Sequence, residues 1–176
     1  MRRAIFLDRD GVISKIILKN GQPFGPRKFE HFELLEGRKE VLEEFKSRGF
    51  LIIVITNQPD IARGLLEKST LERMHKLIKD NLPIDDVFVC WHDDRDACSC
   101  RKPKPGMLLK AAKKWDINLR ESFFIGDQWK DAEAGRNAGC KTILLDYPYN
   151  KGVESDFRVN DFKAVLSFLP KEDRSS

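Results

Sequence analysis

The sequence predicts a doubly wound, Rossmann-like α/β fold, in which helices cover both faces of a mostly parallel sheet. Short apolar runs alternate along the chain with segments whose apolar residues recur at helical spacing. The run Leu51–Ile55 is also aliphatic and mostly β-branched, which is typical of a strand buried on both faces of such a sheet. The length of 176 residues suits a single domain, expected over residues 1–170, followed by a flexible tail at 171–176.

Five strands and five helices are expected in alternation. The strands are predicted at residues 4–7, 51–55, 86–90, 122–125 and 142–145. The helices are predicted at residues 37–48, from 69 onward, from 105 onward, at 129–138 and from 161 onward. This order predicts that ligands bind at the carboxyl edge of the sheet.

Local signals support the helix ends. Gly49 follows the first helix as a stop, and Ser69-Thr70-Leu71-Glu72 has the pattern of a capping box. Pro105 suits the first position of the third helix, and Asp161 can cap the last one. The apolar residues expected to face the core recur at helical spacing: Val41, Leu42 and Phe45; Leu71, Met74 and Ile78; Leu108, Ala111, Ala112 and Trp115; Phe162, Val165, Leu166 and Leu169.

The overall composition is that of a globular protein, with 32 basic and 28 acidic side chains and a net charge of +4. This mild positive charge fits an anionic substrate and does not require nucleic acid. The longest aliphatic run, Leu51–Ile55, is too short to span a membrane, and the start MRRAIFLDRD lacks the apolar stretch of a signal peptide. We therefore expect a cytoplasmic protein that binds no membrane. A monomer is expected in preference to an oligomer.

Polar clusters follow three of the predicted strands. These are Asp8-Arg9-Asp10-Gly11, then Thr56-Asn57-Gln58, and then Gly126-Asp127 with Asp131 four residues on. Each cluster alone is equally typical of a turn, a loop or a helix cap. Because parallel strands end at one edge of a sheet, the fold would bring all three into one crevice.

The residue types in that crevice indicate phosphoryl transfer. Asp8, Asp10 and Asp127 would repel one another unless a cation is present, and an oxygen-only site suits Mg²⁺. Lys102 would add a fixed positive charge, and Thr56 would add a hydroxyl donor. Charge compensation and positioning are what phosphoryl transfer requires, and a carboxylate can be its covalent acceptor.

These motifs resemble those of the haloacid dehalogenase superfamily of phosphatases. The match comprises Asp8-Arg9-Asp10-Gly11-Val12, Thr56-Asn57, Lys102 and Gly126-Asp127-Gln128-Trp129-Lys130-Asp131, in the family's order. The resemblance implies that Asp8 is the nucleophile and that Asp10 is the general acid and base. It implies that Asp8, the backbone carbonyl of Asp10 and Asp127 hold Mg²⁺, while Thr56, Asn57 and Lys102 bind the phosphate. Asp131 would orient metal-bound water or Lys102.

Many members of this superfamily carry a separate cap domain over the site. The segments between the motifs are too short here to hold one, so we expect an open site without a cap. Substrate specificity would then depend on the loops at residues 14–33, 58–66 and 90–107.

Three of the four cysteines lie close together in the stretch CWHDDRDACSC. The pairs Cys90-x-His92 and Cys98-x-Cys100 supply three thiolates and one imidazole, a set that suits tetrahedral zinc. Because all four positions would be taken by protein ligands, the predicted zinc is structural. Cys140 lies apart and is expected to be a small core residue.

The zinc-loop spacing narrows the resemblance to a branch without caps that contains heptose 1,7-bisphosphate phosphatases and histidinol-phosphate phosphatases. It implies a small phosphorylated substrate, either D-glycero-D-manno-heptose 1,7-bisphosphate, losing its 7-phosphate, or histidinol phosphate. Arg63 and Arg101 are candidate anchors for a second phosphate, whereas Asp60, Asp93 or Asp94 could pair with the amine of histidinol phosphate. Pro59-Asp60 and Gln128 depart from the pattern of the branch.

Two other functions share parts of this sequence pattern. A polynucleotide 3′-phosphatase would need a basic surface with stacking aromatics, for which Lys15, Lys19, Arg27 and Lys28 with Phe24 and Phe29 are a sparse candidate. A scaffold without catalytic activity would not need the full set of nucleophile, acid, metal ligand and lysine. We therefore expect a phosphatase that does not act on nucleic acid.

Overall fold

The computed structural model describes residues 1–171, which form eight strands and four α-helices. In chain order these are β1 (Arg3–Leu7), β2 (Ile17–Lys19), β3 (Gln22–Phe24), α1 (Arg38–Ser47), β4 (Phe50–Asn57), α2 (Lys68–Asn81), β5 (Asp86–Cys90), α3 (Gly106–Trp115), β6 (Phe123–Gly126), α4 (Trp129–Ala138), β7 (Lys141–Leu145) and β8 (Phe157–Val159).

The predicted parallel sheet is present. Six strands lie in the order β5-β4-β1-β6-β7-β8, and each neighbouring pair is parallel. The chain builds the sheet outward from β1 through β4 to β5, then crosses to the other side of β1 and continues through β6 to β8. The carboxyl end of β1 is therefore the point where the winding reverses, which is where such sheets bind ligands.

Helices cover both faces of this sheet, as predicted. Along β1, Ile5 and Leu7 point into one apolar cluster, while Ala4 and Phe6 point into the other, because strand side chains alternate between faces. Helices α1 and α2 pack on the first face, and α3 and α4 pack on the second. The buried helix residues include those predicted: Val41, Leu42, Phe45, Leu71, Met74, Ile78, Leu108 and Ala111.

Two helix starts and the type of one helix differ from the sequence prediction. The capping box predicted at Ser69 is wrong: α2 begins at Lys68, Glu67 is its N-cap, and no side chain caps it. A cap is worth about 1 kcal/mol, which is less than the packing of the apolar face of this helix. Pro105 is the N-cap of α3 and lies one residue before its first turn. Asp161 caps as predicted, but the helix that follows, Phe162–Ser167, is a 3₁₀ helix.

The prediction missed three short strands, β2, β3 and β8. Strands β2 and β3 form an antiparallel hairpin around Asn20 and Gly21, both of which have positive φ. Asn-Gly is a strong hairpin signal, so this element was recoverable from the sequence. Each of these strands has only three residues, too few to show an alternating pattern.

The described residues contain no cap domain over the carboxyl edge of the sheet. Between β1 and β4 lie the hairpin, a 3₁₀ turn and α1, and between β5 and α3 lies a loop. Within residues 1–171, no helix is both long and apolar enough to cross a membrane. The tail predicted at 171–176 falls outside the described residues from 172 onward.

Candidate active site

The three polar clusters meet at the carboxyl edge of the sheet. Asp8 follows β1, Asp127 follows β6, and carboxylate oxygens of Asp8, Asp127 and Asp131 lie within 4.8 Å of one another. All three side chains are buried. The predicted convergence of these side chains is therefore present in the fold.

Lys102 neutralises part of this negative charge. Its Nζ donates to Asp8 Oδ1 at 2.8 Å, to Asp131 Oδ1 at 2.6 Å and to the carbonyl of Ile55 at 3.0 Å. The three protons of the ammonium group are thereby used. Burial alone would lower the pKa of Lys102, but Asp131 and Asp8 outweigh it and the pKa lies above its ordinary value. Lys102 therefore stays positively charged and forms an ion pair with Asp8.

Asn57 holds the backbone of Lys102 in place. Its side-chain Nδ2 donates to the Lys102 carbonyl at 3.1 Å, and its Oδ1 accepts from the Lys102 amide at 3.0 Å. This reciprocal pair joins the end of β4 to the loop before α3, 45 residues along the chain. The side chain of Asn57 is thus engaged with Lys102, and its predicted contact with phosphate stays a prediction.

The remaining carboxylate charge is not balanced by protein groups. Burial and the nearby Asp131 carboxylate raise the pKa of Asp8 to about 6, although Lys102 opposes the shift. Burial, followed by repulsion from Asp8 and Asp131, raises the pKa of Asp127 well above its ordinary value. A bound cation would favour the ionised form of both groups.

The donor set fits a divalent cation between Asp8 and Asp127. Within the described residues, Asp127 Oδ1 is the buried side-chain oxygen that lacks a hydrogen-bond partner. Asp131 is close but already engaged, since Oδ1 accepts from Lys102 and Oδ2 accepts from the amides of Asp127 and Gln128. An unsatisfied buried carboxylate oxygen next to a second carboxylate is what an oxygen-ligated Mg²⁺ requires.

Asp10 is held at the wall of the site by three neighbours. Arg9 forms two bonds with its carboxylate at 3.0 and 2.9 Å, Ser14 Oγ donates at 3.1 Å, and Gln58 Nε2 donates at 3.1 Å. Gln58 Nε2 also donates to Thr56 Oγ1 at 2.9 Å, so Thr56 is tied to the same network. The sequence analysis placed Arg9 and Gln58 in the converging polar clusters but assigned neither of them a role.

The predicted zinc ligands converge in the loop after β5. Ligand atoms of Cys90, His92, Cys98 and Cys100 lie within 4.8 Å of one another, and no disulfide links these cysteines. Four of the separations are 3.6 Å (Cys90–His92), 3.7 Å (Cys90–Cys98), 3.2 Å (His92–Cys100) and 3.1 Å (Cys90–Cys100). Tetrahedral zinc with Zn–S bonds near 2.3 Å places its ligands about 3.8 Å apart, so a small expansion would admit the ion. Cys140 is buried in the core, away from this cluster.

A cavity of about 180 Å³ opens from Asp8 and Asp10 toward solvent. One wall is apolar and comes from the hairpin segment, through Ile16, Pro23 and Phe24. Three basic residues, Arg63, Arg101 and Lys130, also line the cavity, and we call them the basic wall. Lys130 was missed as a site residue, although its place in the first turn of α4, just after Asp127, could have indicated it.

Ion pairs join the loops around this cavity. Arg63 binds Asp93 in the zinc loop at 2.6 and 3.0 Å and reaches Asp60 at 3.5 Å. Arg101 donates to Asp94 at 2.7 Å. Hydrogen bonds from Arg63 to Asp93 hold the pKa of that carboxyl near 2, below its usual range. Both predicted arginine anchors therefore face the cavity while paired with zinc-loop aspartates.

A family model and individual relatives both identify the family to which this chain belongs. A haloacid dehalogenase-like hydrolase model matches residues 15–139. The chain is 36% identical to a D-glycero-alpha-D-manno-heptose-1,7-bisphosphate 7-phosphatase of Campylobacter jejuni, over 97% of this chain and 98% of that protein. It is 35% identical to a D-glycero-beta-D-manno-heptose-1,7-bisphosphate 7-phosphatase of Helicobacter pylori, over 95% and 97% of the two chains.

A solved structure adds a structural match. The D,D-heptose 1,7-bisphosphate phosphatase of B. bronchiseptica, complexed with magnesium and phosphate, superposes with a TM-score of 0.81. It shares 26% sequence identity, and the match covers 94% of this chain and 97% of that one. The similarity thus extends over the whole domain.

Proposed function

Because the chain belongs to the haloacid dehalogenase-like hydrolases, we propose that it is a Mg²⁺-dependent phosphatase that removes the 7-phosphate from D-glycero-D-manno-heptose 1,7-bisphosphate. The observation that carries this proposal is the buried Asp8, paired with Lys102 and next to the unpartnered oxygen of Asp127, at the base of a cavity with a basic wall. The names of the relatives support the substrate.

In the proposed reaction, Asp8 attacks phosphorus and forms an aspartyl-phosphate. Asp10, on the wall of the cavity, protonates the leaving sugar oxygen and then removes a proton from the attacking water. Lys102 stays charged and stabilises the phosphoryl oxygens, with Thr56 as a hydroxyl donor. Mg²⁺, when bound by Asp8, Asp127 and the carbonyl of Asp10, would offset the charge on the transferring group.

The basic wall offers anchors for the second phosphate. Arg63 and Arg101 are each paired with a zinc-loop aspartate, whereas no ion pair of Lys130 occurs within residues 1–171. Lys130 therefore has its full charge available, and the arginines contribute their remaining N–H groups. The two relatives are named for different anomers, so the chain's own preference is part of the test.

Histidinol phosphate is the second candidate substrate. Its amine would need an acidic partner, but Asp60, Asp93 and Asp94 are already paired with arginines. A nucleic-acid substrate fits less well than either metabolite. Of the basic residues that would bind it, Lys15 pairs with Glu33 and Arg27 pairs with Asp60. Two of the four basic residues in that candidate nucleic-acid surface are therefore compensated by acidic partners.

Phosphate release from a substrate panel tests the proposal. We expect the highest kcat/KM for one anomer of the heptose 1,7-bisphosphate, ahead of histidinol phosphate and nucleotides. Asp8→Asn should lower kcat by about 10⁴-fold or more, because the nucleophile is lost. Asp80→Asn, on the exposed end of α2, is the matched control and should leave kcat unchanged. A preference for histidinol phosphate, or near-normal turnover by Asp8→Asn, would contradict the proposal.

A second comparison tests the anchors. Arg63→Ala and Lys130→Ala should each raise KM for the bisphosphate more than KM for a small monophosphate, because only the bisphosphate reaches the basic wall. Arg120→Ala, on the opposite edge of the molecule, is the control. Equal effects on the two substrates would show that these side chains do not bind a second phosphate.

A further inference from the structure

The segment after β7 holds the Asp127 carboxylate from one side. Tyr149 Oη donates to Asp127 Oδ2 at 2.5 Å. Asn150, which is buried, donates to the backbone carbonyls of Asp127 and Leu145, each at 2.7 Å. The end of β6 and the end of β7 are thus tied together behind the metal-binding aspartate.

The ring of Tyr149 is itself fixed in place. It stacks on Tyr147 with ring centroids 5.0 Å apart and an interplanar angle of 9°. The Tyr147 hydroxyl donates to the carbonyl of Gly11 at 2.8 Å and does not contact Asp127. The stacked rings therefore hold the ring of Tyr149 in place.

Gly11 closes the other side of the same oxygen. Its φ is +88°, and a Cβ at this position would lie 2.3 Å from Asp127 Oδ2. Backbone and tyrosine hydroxyl together enclose Oδ2, and Oδ1 is left without a partner. The Asp127 carboxylate is thus oriented so that Oδ2 accepts a hydrogen bond from the protein. Oδ1, which has no partner among the described residues, is available to a ligand.

We propose that Tyr149 is a positioning residue for Mg²⁺, which it serves by holding Asp127 Oδ2 and leaving Oδ1 without a hydrogen-bond partner among the described residues. This inference rests on the proposed function, because it concerns the same metal. In this role the hydroxyl binds Asp127 and is not itself a ligand of the metal. It prevents rotation of the carboxylate, so that a ligand oxygen is in place before the ion arrives.

Groups that orient metal ligands typically contribute 10- to 100-fold to metal affinity. Tyr149→Phe removes the hydroxyl and keeps the stacked ring, so Asp127 loses its fixed orientation without a change in packing. We expect the dissociation constant for Mg²⁺, measured by calorimetry on the full chain without substrate, to rise about 10- to 100-fold. At saturating Mg²⁺, kcat should return to within a few-fold of the wild-type value.

Tyr147→Phe is the matched control, because it removes a hydroxyl from the same stack that does not contact Asp127. Its Mg²⁺ affinity should stay within about twofold of the wild type. A Tyr149→Phe variant that binds Mg²⁺ as tightly as the wild type would overturn the inference. So would an equal loss in Tyr147→Phe, since the stack and not the hydroxyl would then be responsible.

Asp127→Asn separates this inference from the proposed function. If the wild type binds Mg²⁺ and Asp127→Asn does not, the metal site is correct and the two tyrosine variants decide the role of Tyr149. If Asp127→Asn binds Mg²⁺ as tightly as the wild type, the proposed metal site is wrong. The proposed role of Tyr149 is then wrong as well.

Discussion

At the scale of single residues, Arg9 is a fully buried arginine that lies between Asp8 and Asp10 in the sequence. Arg9 has no exposed surface, and its guanidinium binds both oxygens of Asp10, contacts His75 at 3.2 Å and lies over the ring of Phe32. An arginine without water needs these partners, because an unpaired buried charge is strongly unfavourable. The position next to the proposed nucleophile, Asp8, thus also supports the core.

Arg9→Met tests this role. Removing one partner of a buried ion pair leaves the other uncompensated, so we expect the free energy of unfolding to fall by about 3–5 kcal/mol. Urea denaturation measures it, with Arg120→Met on the surface as the control. A loss below about 1 kcal/mol would show that Asp10 finds other partners, since surface changes of this kind cost about 0.5 kcal/mol or less.

At the scale of an element, the loop between β5 and α3 links two sites. The four predicted zinc ligands lie at its start and middle, and Lys102, which contacts Asp8, lies at its exit. The loop also presents Asp93 and Asp94 to the arginines of the cavity wall. A change in the conformation of this loop would therefore move Lys102 together with the two paired arginines, Arg63 and Arg101.

Cys98→Ser should lower the zinc content and raise KM for the heptose bisphosphate about tenfold or more, the usual scale of an effect through a disturbed metal site. Zinc content is measured by atomic emission, and KM is measured at saturating Mg²⁺. Cys140→Ser is the matched control, since that thiol is buried in the core outside the cluster. Unchanged KM after complete loss of zinc would show that the loop keeps its shape without the metal.

At the scale of the whole molecule, a half-buried histidine, His75, couples the stability of the fold to pH. Burial and the charge of Arg9 lower the pKa of His75 to about 3, against about 6.5 in an unfolded chain. Between these values the unfolded state binds the extra proton. Stability is therefore complete above pH 6.5 and falls as the pH drops toward 3.

His75→Gln keeps an acceptor for Arg9 and removes the titrating group. Between pH 7 and pH 5, the wild type should lose roughly 1–2 kcal/mol more stability than the variant. Urea midpoints at both pH values measure the difference, and His31→Gln, an exposed position, is the control. Equal losses in the wild type and His75→Gln would mean that folding does not lower the pKa of His75.

Some residues of the site can be predicted from the local sequence, whereas others depend on contacts between distant segments. Asp8, Asp10 and Asp127 could be located in the sequence because they follow predicted strands, and Lys102 could be located because it resembles a motif of the haloacid dehalogenase superfamily. The partners that orient them could not. Tyr149 and Asp127 are 22 residues apart, and Arg63 and Asp93 are 30 apart, with no local pattern that couples them.

The sequence by itself determined the parallel sheet with helices on both faces and the convergence of three polar clusters. It also determined the grouping of Cys90, His92, Cys98 and Cys100. These depend on hydrophobic periodicity and short-range spacing, which the chain carries locally. Only the tertiary structure decided that Asp131 is engaged by Lys102 and backbone amides, that Asp127 Oδ1 is left free, and that a tyrosine after β7 holds the other oxygen. Those outcomes depend on how neighbouring strand ends and their loops pack, because burial and hydrogen-bond geometry are set jointly by segments distant in sequence.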